Sequence, residues 1–145
     1  MSEREEILDC FASFPGRLAA GAHAAGGRPV PAGEWGPTEV VSHLIAVEEV
    51  VWRARLRDLA TTADPRWSRT EPGLAAGLED ASLDQVLSAF EAARAGTVEI
   101  VRALDAAGWA SSGTHAVYGR LDVAGLLGVA IDHDEEHLEG ITGSG

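Results

Sequence analysis

Apolar residues recur along this chain at intervals of three and four, and that spacing divides it into four helical segments. In residues 3–24, Ile7, Leu8, Phe11, Phe14 and Leu18 form the apolar stripe of an amphipathic helix. Pro15 falls inside the stripe and predicts a kink or a split, because proline removes a backbone donor and crowds the preceding turn. The turn-rich stretch GGRPVPAG (26–33) separates this segment from the next. Pro37 suits a first helical position and Glu39 complements the helix dipole. Val40, Leu44, Val47, Val51 and Leu59 then mark an inward face to about residue 60. Residues 61–81 carry too much Pro, Gly and Asp for a regular element, and a connection of that length often crosses a bundle or serves a site.

Ser82 and Gln85 predict a capping box at the start of the third segment. Its buried side comprises Leu83, Val86, Phe90, Thr97, Val101 and Leu104, with Gly108 as its stop. After the linker GWASSGTHAVYGRL, Asp122 is a good N-cap for a last helix that buries Val123, Leu126, Val129, Ala130 and Ile141. Gly125 and Gly128 permit close backbone approach there. No strand-like alternation lasts for more than a few residues. Four long helices without an internal repeat predict an all-α four-helix bundle, folded as a single domain over residues 1–145.

Composition agrees with one well-filled core: 145 residues, 46% hydrophobic and 23% charged. Charge narrows the partners. There are 23 acidic residues against 11 basic ones, all arginine, for a formal net charge of -12. That balance argues against a nucleic-acid backbone and against an anionic membrane surface as partners. Cys10 has no cysteine to pair with and stands at helical spacing from Ile7 and Phe14, so it reads as a small buried hydrophobe. The opening MSEREEILDC lacks a basic region followed by an apolar one, and no apolar run approaches the ~18 residues of a membrane span. The expectation is a cytoplasmic protein.

The candidate chemistry lies in the histidines. His133 and His137 are four apart in IDHDEEHL, on one face with Ala130 and Leu126, and so point inward near the end of the last helix. Two imidazoles so placed can converge on one ion, although such a pair also arises by accident. His43 adds a third on the inward face of the second helix, between Val40 and Val47. Three inward histidines that share a divalent cation meet one another's need for partners. Whether they meet depends on how helices two and four pack, which periodicity does not fix. His115, in a linker, and His23, at a helix end, read as exposed or capping residues.

Two runs carry a family resemblance. EWGPTEVVSHLIAVEE (34–49) resembles the opening motif of the DinB/YfiT-like superfamily: a tryptophan, a helix-opening turn and an inward His-Leu. GTHAVYGRLDVAGLLGVAIDHDEEHLEGI (113–141) resembles its closing motif, a Gly-rich approach to a capped helix bearing His-x-x-x-His. With the helical spacing, the likeness covers nearly the whole chain. It implies up-down-down-up topology, in which 61–81 is the crossover, and it implies that His43, His133 and His137 ligate a metal, usually zinc or nickel. Members are thiol-dependent transferases or isomerases using mycothiol, bacillithiol or glutathione, or hydrolases, and they commonly form homodimers. Two departures stand out. Gly36 replaces the usual Ser or Thr cap, and Pro15 interrupts helix one.

Three neutral nitrogen ligands would leave an ion with open positions, as in catalytic sites. The resemblance therefore implies a metal-dependent enzyme acting on a small-molecule substrate, by transfer to a low-molecular-weight thiol cosubstrate or by hydrolysis. The alternative is a non-catalytic, stress-related bundle in which the ion is structural. Glu48, Asp134 and Tyr118 are the nearby acid–base groups, and each reads as solvated or as an acceptor for an imidazole N–H.

Overall fold

The computed structural model describes residues 2–143. The first helix, α1 (Glu3–Ala25), starts where the Ser2 hydroxyl accepts the Glu5 backbone N–H. Pro15 neither splits nor ends it. The carbonyl that Pro15 cannot serve, that of Phe11, instead accepts Nη1 of Arg94 at 2.8 Å. A donor from another helix therefore removes much of the usual penalty for an interior proline.

The second rod has three parts: α2 (Pro37–Val47), a π-helical turn (Glu48–Arg53) and α3 (Ala54–Thr61). Gly36 caps it without a side chain, and the Glu39 carboxylate compensates by accepting the Gly36 N–H at 2.8 Å. The third rod, α4 (Leu83–Arg102), opens with the Ser82–Gln85 capping box. It stops at Arg102 rather than at Gly108, because Asp105 caps a separate short helix, α5 (Ala106–Ala110), by accepting the Gly108 N–H. Asp122 caps α6 (Val123–Thr142) through the Gly125 N–H.

Contacts fix the directions. Gly21 meets Leu138 and Thr142 while Gly128 lies nearest Ile7, so α1 and α6 run parallel. Gly26 approaches Leu83, Phe14 packs edge-on against Phe90, and Arg94 reaches Phe11, so α1 and α4 are antiparallel. Glu48 bonds Arg94 and Arg53 bonds Thr97, so rods two and three are parallel. The bundle is up-down-down-up, and parallel neighbours force residues 61–82 to travel its length. Two apolar clusters fill it, one around Phe11, Trp52, Leu126 and Ala130, the other around Phe14, Leu18, Leu44 and Phe90.

Two further readings of the sequence need correction. The segments read as irregular contain short strands: β1 (Arg66–Trp67), β2 (Gly113–His115) and β3 (Gly119–Leu121) form a sheet in that order. The β1–β2 pair is parallel, with Trp67 opposite His115, and the β2–β3 pair is antiparallel. Strands of two or three residues are too short for alternation to show. Gly113 makes the pairing possible, since a Cβ there would lie 2.7 Å from the Pro65 carbonyl and from the Trp67 ring. Cys10 is exposed rather than buried, because the core stripe passes through Phe11 and Phe14 beside it. No helix among the described residues is long and apolar enough to cross a membrane.

Candidate metal centre

Antiparallel packing of rod two against α6 brings His43, His133 and His137 together. Their ligand atoms all lie within 4.8 Å of one another. Ring centroids are 4.5 Å apart for His133–His137, 4.9 Å for His43–His137 and 6.1 Å for His43–His133. Two nitrogens on one zinc at ~2.1 Å stand no more than ~4 Å apart, so the widest pair needs to close by under ~1 Å.

Two aromatic rings flank the cluster. Trp35 lies 5.1 Å from His43, and Trp52 meets His133 edge-on at 5.7 Å. The crossing connection orients His43, whose Nδ1 lies 3.2 Å from the Gly73 carbonyl. A proton on Nδ1 satisfies that bond and leaves Nε2 as a free lone pair. His133 Nδ1 is buried and has no partner among the described residues, an unmet need of the kind that an ion or its surroundings relieve. Burial, with His137 and His43 close by, pushes the His133 pKa down to about 4. Burial and His43 push His137 down as well. Both rings are neutral at physiological pH, the form that coordinates metal. Donor type, spacing and protonation therefore fit one divalent transition ion.

The cluster faces a cavity of about 320 Å³. Val47, Val51 and Trp52 line one wall, while Arg69, Thr70 and Glu71 of the crossing connection and His115 and Tyr118 of the β2–β3 hairpin line the others. His115, read from sequence as exposed or capping, is only 3% exposed and contributes to the cavity. His23 is exposed at the end of α1, 3.2 Å from Asp84.

Glu48 and Asp134 are not solvated. They belong to a buried cluster that the sequence reading missed. Arg94 donates Nε to Glu48 at 2.9 Å and both terminal nitrogens to Asp134 at 3.0 Å. All three residues are at most 1% exposed, and the guanidinium lies 3.8 Å from the Phe11 ring centroid. One cation meets two carboxylates, and Glu48 Oε2 has no partner among the described residues. Burial pushes the Asp134 pKa up to about 7 against the pull of Arg94. A signal for the cluster was present: Arg94 continues the core stripe Val86–Phe90 by another four residues. Because Asp134 adjoins His133, this cluster anchors α6 beside the three histidines.

Comparison with known proteins identifies the fold and the family. No curated protein matches the chain. Among solved structures, the fold is similar to that of YfiT from Bacillus subtilis, described as a probable metal-dependent hydrolase with an unusual four-helix bundle topology. The TM-score is 0.73 at 16% identity, covering 97% of this chain and 86% of that one. The DinB superfamily family model matches residues 5–141, nearly the whole chain, and the protein therefore belongs to the DinB superfamily.

Proposed function

We propose that the protein is a metal-dependent enzyme of small-molecule chemistry, with His43, His133 and His137 holding one zinc or nickel ion. The observation that carries this reading is the convergence of three histidines, two of them with depressed pKa values, at the wall of a 320 Å³ cavity. Structural zinc sites are closed by four protein ligands, whereas three ligands beside an open cavity match the catalytic pattern. When bound, such an ion supplies Lewis-acid chemistry, polarising a substrate group and making a water or thiol more acidic. Hydrolysis is the first choice, supported by the description of YfiT. Transfer to a low-molecular-weight thiol is the second, since the same three-histidine set suits a thiolate.

The surrounding residues divide the remaining work. Trp35 and Trp52 give the cluster an apolar flank, which strengthens electrostatic interactions at its face. Glu48 and Asp134 are engaged by Arg94, which leaves Tyr118 as the cavity-lining candidate for proton transfer among the three acid–base groups considered. Elemental analysis after reconstitution tests the site: wild type should hold about one equivalent of ion, and His137→Ala far less. Absence of bound ion in reconstituted wild type refutes the reading. The structural-ion alternative is separated by thermal melts. An enzyme whose core is complete without metal keeps most of its stability under chelation, and a melt that collapses under chelator favours the structural role.

A further inference from the structure

The same cavity holds a second set of polar groups that the metal reading leaves unused. Arg55 on α3 is 6% exposed and lines the cavity, with its Cζ 5.7 Å from the rings of both Trp52 and Trp67. A guanidinium has five N–H donors, yet the one hydrogen bond Arg55 makes among the described residues is to the Ser68 carbonyl, at 3.1 Å. No carboxylate among the described residues pairs with it. Asp58, a turn along the same helix, accepts the Trp67 indole N–H at 3.0 Å, and Glu71 lies against Arg69 at 3.6 Å. Burial lowers the Arg55 pKa, but an arginine stays charged. Asp58 is close enough to favour the charged form but is engaged by Trp67, so the buried guanidinium is only partly compensated, and an anion entering the cavity lowers the remaining cost.

His115 supplies a second donor. It is 3% exposed, and its Nδ1 accepts the backbone N–H groups of Val117 at 3.0 Å and Tyr118 at 3.3 Å. Burial and the neighbouring Arg55 hold its pKa below the ordinary value, so the ring is neutral at pH 7. With Nδ1 accepting, the proton sits on Nε2, which has no acceptor among the described residues.

We propose that Arg55 and His115 form a recognition site for the carboxylate of a small substrate or cosubstrate, whose reacting group extends past Trp52 to the three histidines. The Trp52 ring is 5.7 Å from Arg55 Cζ and 5.7 Å from the His133 ring, so one indole spans the gap. The second half of this statement rests on the proposed metal-dependent function. The recognition half stands on Arg55 and His115 alone. A monoanion fits better than a phosphate, because Glu71, Asp132 and Glu136 line the same cavity and the chain carries a net charge of -12. Both repel a dianion more strongly than a carboxylate.

Titrations of zinc-reconstituted full-length protein, followed by tryptophan fluorescence, test this with butyrate, butyramide and inorganic phosphate as probes. Butyrate should bind at least about tenfold more tightly than butyramide, and phosphate more weakly than butyrate. Arg55→Met should weaken butyrate roughly tenfold to a hundredfold, the span of a hydrogen bond to a charged group, and leave butyramide unchanged. Arg55→Lys should fall between, since it keeps the charge and loses the fork. His115→Gln should lose a smaller factor. If Arg55→Met does not fold, the wild-type comparison and Arg55→Lys decide. Equal binding of butyrate and butyramide, tighter binding of phosphate, or unchanged butyrate affinity in folded Arg55→Met overturns the proposal. Loss of butyrate binding on chelation also overturns it, because the carboxylate then sits on the ion. Butyrate bound by protein that takes up no zinc upholds the recognition site and refutes the metal reading instead.

Discussion

Replacing Arg94 with methionine tests how the centre of the bundle is held. The substitution keeps an unbranched apolar stem beside Phe11 and removes the charge. It leaves Glu48 and Asp134, at most 1% exposed, without their cation. Removing one partner of a buried ion pair costs about 3–5 kcal/mol, because the remaining charge stays desolvated. Folded domains have only ~5–15 kcal/mol in hand, so the loss is large but survivable. It should also depend on pH. Asp134, already pushed up to about 7 with Arg94 present, takes a proton more readily without it. Arg94→Met should therefore cost about 4 kcal/mol at pH 7.5 and markedly less at pH 5. Urea denaturation in chelator, followed by circular dichroism at both pH values, measures this. A loss below ~1 kcal/mol, or an equal loss at both pH values, refutes the assignment of an uncompensated buried charge. A coupling check is available through Pro15. In Arg94→Met the Phe11 carbonyl has no helical donor, since residue 15 lacks an N–H. Adding Pro15→Ala should recover about 1 kcal/mol, one hydrogen bond's worth.

Other substitutions probe the histidines and the sheet. His137→Ala should lower metal affinity by more than the ~100-fold that loss of a supporting hydrogen bond can cause, measured by competition with a chromophoric chelator. In metal-free protein burial holds the pKa of His133 at about 4, below the ordinary 6.5, so its contribution is present above 6.5 and is lost as pH falls through about 4. The raised Asp134 acts in the opposite sense, contributing stability below the ordinary 3.8 that is lost as pH rises through about 7. His133→Gln removes the first effect, so its stability should fall as pH rises from 4 to 7, where wild type is flatter. pH-resolved melts in chelator that show parallel profiles would contradict this. Gly113→Val places a side chain against the Pro65 carbonyl and Trp67, and should cost about 1–3 kcal/mol and speed exchange of the Trp67 indole proton.

What could be read from sequence was local or periodic. The Ser82–Gln85 box, the Asp122 cap and the start at Pro37 depend on neighbours within one turn, and they appear as read. The inward placement of His43, His133 and His137 followed from their apolar neighbours, and the family resemblance supplied the relative direction of the rods that periodicity could not. Features that depend on distant partners were hidden. Arg94 continues the stripe of Val86 and Phe90, but a charge at that position makes sense only once Glu48 and Asp134 arrive from two other helices. Arg55 looks like one of several charges in ARLRDL until the crossing connection covers it. His115 becomes buried only because Trp67, nearly fifty residues earlier, pairs alongside it. Pro15 pointed to a break, and only the donor from Arg94 explains why none occurs.

The π-helical turn at Glu48–Arg53 has a geometric consequence for the cavity. His43, Val47, Val51 and Arg55 follow one another at intervals of four, and the last three line the cavity wall beside which His43 stands. On a uniform α-helix each such step advances about 40° around the axis, so Arg55 would drift about 120° from His43. The wider turn advances less per residue and cancels much of that drift, acting as a phase correction between the two ends of the rod. The residue that widens the turn can be removed without loss of phase: deleting one, such as the exposed Val50, would leave a uniform helix on which 11 steps of about 100° still set Arg55 about 20° from His43. Forcing the turn to α-helix at unchanged length would instead rotate Trp52 and Arg55 off the wall while His43 stayed in place, uncoupling the two halves of the cavity without unfolding either.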